Sequence, residues 1–79
     1  MNTEITPAKR YSAAMDSVNL INNRIIACEE NETQDQRKSD IDRNVEHLKL
    51  AIAWDIWTTE DLSPLNLAIE NGSNWLSNN

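Results

Sequence analysis

The chain has 79 residues, thirteen acidic against seven basic, and a formal charge of −6. That size allows one domain, and a chain this short buries only about 60% of its unfolded surface. The acidic balance argues against direct binding of duplex nucleic acid, which needs a basic footprint, and one cysteine cannot form an internal disulfide.

Residues 1–5 read as a frayed tail. Thr6 followed by Pro7 marks a helix start, because threonine caps and proline suits the first helical position. Tyr11, Ala14, Met15, Val18, Ile21, Ile25 and Cys28 then recur every three or four residues, which predicts a first helix over 6–28 with one apolar stripe. Cys28 is expected to pack at its end as a small hydrophobe. The polar, charge-dense stretch 29–38 (EENETQDQRK) reads as a hairpin loop. Within it Thr33 and Gln36 form a capping-box pattern that starts a second helix at 34; Ser39 with Asp42 is the later alternative. This helix is expected to run over 34–57.

Its second half is apolar on two sides. At 100° per residue, Ile41, Val45, Leu48, Ile52 and Ile56 form one stripe, and Leu50, Trp54 and Trp57 fall opposite. Residues 58–63 read as a turn. Ser63 and Pro64 repeat the cap-then-proline signal, so a short third helix is expected from about Pro64 to Asn71, with Gly72 as its C-cap and a tail to residue 77 in which Trp75 and Leu76 either extend the helix or fold back. The fold expected is therefore all-α: an antiparallel two-helix hairpin plus a short C-terminal helix. A third helix of two turns cannot cover the Leu50 side, so self-association into a dimer or higher oligomer is expected to complete the core.

Leu50, Trp54, Trp57 and Trp75 are the residues expected at a protein interface, since tryptophan is enriched among interface anchors. Glu29, Glu30, Glu32 and Asp35 form an acidic loop cluster suited to a basic partner surface. Arg24, Arg37, Lys38 and Arg43 cluster near the start of helix 2, where free backbone N–H groups add a possible anion site. No metal site or other cofactor is expected, because Cys28 and His47 are the only soft ligands and zinc needs about four. Asp40 to Arg43 resembles the opening of a calcium loop, but Val45 stands where glycine is required and Ala51 where the bidentate glutamate is required. No nucleophile motif or phosphate loop is present, so no catalytic residue is assigned and the chain is read as non-enzymatic. The polar start and the lack of an 18-residue apolar run predict a cytoplasmic protein without a membrane partner.

From Asn44 to Gly72 (NVEHLKLAIAWDIWTTEDLSPLNLAIENG) the chain resembles a group of small proteins encoded by tailed bacteriophages. The matched features are His47 and Leu48 in the apolar helix, the junction Trp57-Thr58-Thr59-Glu60-Asp61-Leu62, Pro64, and a short helix ending near Gly72. Tyr11 and the Glu29–Thr33 loop match more loosely, and Leu67 and residues 73–79 lie outside the resemblance. It implies a genomic setting, the cytoplasm of an infected bacterium, and no mechanism. In that setting the expected function is binding of a host or phage protein, as an adaptor or inhibitor. One alternative is an oligomeric sponge for an anionic, nucleotide-like ligand held at the hairpin ends. The other is a minor virion or assembly component.

Overall fold

The computed structural model describes residues 6–79, so the tail expected at 1–5 lies outside the described residues. Among these the chain forms three helices and no strand: α1 (Pro7–Ile26), α2 (Gln34–Ile52) and α3 (Ser63–Asn78). The class is all-α, and each helix packs against both others. No helix among the described residues is long and apolar enough to cross a membrane.

Local chemistry sets the first two helix starts. The Thr6 hydroxyl accepts the Lys9 N–H at 3.2 Å, and Pro7 opens α1. The Thr33 hydroxyl accepts the Gln36 N–H at 3.1 Å while the Gln36 side chain accepts the Thr33 N–H at 2.9 Å, a complete capping box. The alternative start at Ser39 is thereby excluded. α1 stops at Ile26, and Ala27 is already extended. Cys28 therefore leaves the stripe and is exposed, which corrects its expected place in the core.

The largest departure is at the end of α2. It stops at Ile52, not at residue 57. The Ala53 and Trp54 N–H groups donate to the Leu50 and Ala51 carbonyls, tightening the last turn, and the Trp57 indole N–H donates back to the Ala51 carbonyl at 2.9 Å. A helix continued to residue 57 would carry two apolar faces; bending the chain after Ile52 folds Trp57 onto the helix end, where its indole is a further donor to the Ala51 carbonyl. The sequence pattern was apolar enough for two faces, but the second face is dismantled instead of being covered.

The third helix is twice the expected length. Ser63 lies inside it, and the Asp61 carboxylate, not Ser63, accepts the N–H of the first helical residue, at 2.9 Å from Ser63 N. Gly72 is not a C-cap. It is buried in mid-helix, where a Cβ would stand 2.6 Å from Val45 Cγ2 and 3.2 Å from Ile21 Cγ2. A missing side chain lets α3 approach α1 and α2 closely at this point.

The core is Ala14, Val18 and Ile21 from α1, Ile41, Val45, Leu48 and Ala51 from α2, and Leu65 and Ala68 from α3. Each fully buried leucine or isoleucine contributes about 2 kcal/mol relative to exposure. All three helices supply it, so a second chain is not needed to cover the Ile41–Val45–Leu48 stripe. Leu50, on the opposite side of α2, is 65% exposed.

Arg37 locks the top of the bundle. Its Nε donates to the Arg24 carbonyl at 2.7 Å and its guanidinium to the Ile25 carbonyl at 3.0 Å, satisfying the end of α1 from α2. The same guanidinium stacks 4.6 Å from the Trp75 ring centroid, adding α3. Arg37→Ala is expected to destabilise the protein by about 2 kcal/mol, from two charge-assisted hydrogen bonds and a stacking contact. Arg37→Lys should recover less than half, because a point charge cannot span both carbonyls and an indole. Urea unfolding followed by circular dichroism measures both; equal stability of the lysine variant and the parent would contradict the fork geometry.

Candidate functional site

The residues singled out in the sequence divide between the two ends of the bundle. Trp54 and Trp57 lie in the α2–α3 turn, at the end where α1 begins. Trp75 lies near the other end, against Arg37 of α2. Of the residues expected at a protein interface, Trp54 and Trp57 are brought together and Trp75 is not: α3 runs antiparallel to α2 and carries Trp75 away from the turn. Leu50 remains exposed on the outer side of α2.

At the turn end, Tyr11, Trp54, Trp57 and His47 form one aromatic cluster. Trp57 stacks on Trp54 with centroids 6.1 Å apart and planes inclined by 27°. Tyr11 meets Trp57 edge-on, and His47 meets Trp54 edge-on. The Tyr11 hydroxyl donates to the Asp61 carbonyl at 2.7 Å, tying α1 to the start of α3. Arg10 lies 4.5 Å over the Trp54 ring. Trp54, Ile56, Arg10 and Asp55 line an open depression of about 330 Å³. The turn is held by its own carboxylates: Glu60 accepts the Thr58 N–H at 3.1 Å, and Asp61 accepts the Ser63 N–H. These backbone donors hold both carboxyls below their ordinary values. The stability they add is complete above the ordinary carboxylate range and is lost as the pH falls through their lowered values.

At the loop end, the four acids of the expected patch are not equivalent. Glu29 pairs with Arg24 at 3.0 Å, and Glu32 lies 3.5 Å from Arg24 Nε with its side chain only 7% exposed. That nitrogen is buried and makes no hydrogen bond within the structure, so at this atom the Glu32 contact is charge attraction. Glu32 also accepts the Glu29 N–H at 3.1 Å. Glu30 and Asp35 remain exposed. The basic residues expected at an anion site are similarly engaged. Arg24 faces Glu29 and Glu32, Arg37 holds the α1 carbonyls, and Arg43 lies 4.0 Å from Asp40. Lys38 is half-buried on α2, and the capping box uses two of the loop-end N–H groups on which anion binding would draw.

The carboxyls of Glu32 and Asp40 influence each other's protonation. Hydrogen bonding between the two carboxyls raises Asp40 above its ordinary value and lowers Glu32. A raised carboxyl favours folding below its unfolded value, and that advantage disappears as the pH rises through the folded value. Asp40→Asn keeps a donor beside Glu32 and removes the second negative charge. It is expected to raise the melting temperature at pH 7 and to leave it unchanged at pH 3; a lower melting temperature at pH 7 would contradict the unfavourable pairing of the two carboxyls.

Arg10 and Asp55 were not singled out from the sequence, and Ile56, expected on the buried stripe of helix 2, lines the depression instead. Arg10 and Asp55 are 45 positions apart, and only the bend after Ile52 brings them to one depression. No protein-family model, curated protein or solved structure matches the chain.

Proposed function

We propose that this protein acts without catalysis, by docking another protein through the aromatic turn between α2 and α3. The observation that carries the reading is Trp54: a half-exposed indole on the rim of an open depression, stacked beside Trp57 and under the Arg10 guanidinium. Tryptophan and arginine dominate binding energy where they sit together around a pocket. This turn is also pinned by the Trp57, Tyr11 and Asp61 hydrogen bonds, so little conformational freedom is left to lose on binding. In the setting implied by the resemblance to small tailed-phage proteins, the partner is a host or phage protein and the site of action is the bacterial cytoplasm.

The acidic loop serves this reading less well, because Arg24 already neutralises two of its four carboxylates. The anionic-ligand sponge has less support still, since Arg24 and Arg37 are engaged with protein acceptors and only Arg43 stays largely exposed.

The test is affinity capture from the cells in which the chain is naturally expressed, read by quantitative mass spectrometry. Three baits are compared: the parent, Trp54→Glu, and a double reversal Glu30→Lys with Asp35→Lys. Removing an anchor of this kind costs 2 kcal/mol or more, about 30-fold in affinity. The partner should be retained by the loop variant and lost from Trp54→Glu, with both baits helical by circular dichroism. Equal capture by Trp54→Glu and the parent would remove the proposal.

A further inference from the structure

We infer that, in the protein on its own, the aromatic turn is occupied by a second copy of the same chain, docked about a two-fold axis. This rests on reading the turn as a docking surface and adds what first fills it. The lining of the depression combines a cation and an anion with two apolar side chains: Arg10 from α1, Asp55 from the bend after α2, and Trp54 and Ile56. Among the described residues neither charge is used in an ion pair; those formed are Arg24 with Glu29 and Glu32, Arg43 with Asp40, and Lys49 with Glu46.

A patch of one sign asks for a partner of the opposite sign. A patch carrying one charge of each sign is complementary to itself after a half-turn, when each Arg10 meets the second copy's Asp55. The Arg10 guanidinium lies 4.5 Å over the Trp54 ring, and its planar fork of donors suits a carboxylate, which can accept two N–H groups at once. Net charge works against close approach of two copies elsewhere. The chain carries −6, so two copies repel except where charge is locally balanced. The loop end, with Glu30 and Asp35 exposed, does not offer that balance.

The experiment is sedimentation velocity on the purified full chain from micromolar to millimolar concentration, with helicity checked by circular dichroism. The parent should pass reversibly from monomer to dimer. Arg10→Asp leaves two acids in the patch and Asp55→Arg leaves two cations; each alone should weaken the dimer at least about tenfold, because the change acts twice across a two-fold axis. Mixed in equal amounts, the two variants should form a heterodimer, since one patch is now wholly negative and the other wholly positive. Asp55 is exposed, so Asp55→Arg alone reads the dimer should Arg10→Asp fail to fold. A parent that stays monomeric, variants that dimerise as the parent does, or a folded mixture that stays monomeric would each overturn the inference. Its failure is separable from that of the functional reading: the charge swap reads the second copy, and capture by Trp54→Glu reads the other protein.

Discussion

Gly72→Val is expected to destabilise the protein by about 3 kcal/mol or more. Even alanine at this position would place its Cβ 2.6 Å from Val45 Cγ2 and 3.2 Å from Ile21 Cγ2. Both neighbours are buried, and both are β-branched with little rotamer freedom in a helix. The clash can be relieved only by moving α3 outward, which loosens its contact with both partners. Gly72→Ala sets two effects against each other. Helix propensity favours alanine by about 1 kcal/mol, while overpacking costs about 1 to 3 kcal/mol. The clash should win, leaving a net loss of about 1 kcal/mol. Gly72→Asn separates this account from a C-cap, where asparagine is tolerated; here it buries an amide in an apolar seam and should cost more than alanine. Chemical unfolding of the three variants gives the order: alanine mildest, then asparagine and valine. A stable asparagine variant would return Gly72 to a helix end.

Leu48→Ala should cost about 3 kcal/mol, and Leu50→Ala less than about 0.5 kcal/mol. The residues are two apart in one helix and chemically identical. Leu48 is fully buried between α1 and α3, and Leu50 is 65% exposed. Removing three carbons from Leu48 leaves a cavity that its branched neighbours Val45 and Ile41 fill poorly. A chain of this length is held by roughly 4 to 12 kcal/mol in total, so the first variant should fall visibly toward the unfolded state. Urea midpoints measured at constant slope decide the comparison. Equal losses would mean that both sides of α2 are covered in solution, by a second chain on the Leu50 side.

Local patterns made part of this legible in advance. Thr6-Pro7 and Thr33–Gln36 act within four residues of one another, so their meaning does not depend on the rest of the chain. The Ile41, Val45, Leu48 stripe likewise follows from helical spacing, and the structure buries it. The end of α2 was not legible by the same rule. Periodicity carries the pattern through Trp57, but the competing arrangement is a tertiary one, in which the Trp57 indole donates to Ala51 and Tyr11 closes over it. Gly72 misled for a related reason. Glycine serves helix ends and close helix contacts alike, and only the position of Val45 across the seam tells which. At the candidate site, Trp54 and Trp57 stood out by residue type. Arg10 and Asp55 did not, because their proximity is created by the bend that periodicity missed.

Hydrogen exchange, on the protein diluted to its monomer and in complex with its captured partner, tests most directly whether recognition runs through the aromatic turn. Slowed exchange on binding should be confined to residues 53–62 and the first turns of α1 around Arg10. Protection centred on Glu29 to Asp35, with the turn exchanging as in the free protein, would contradict the account.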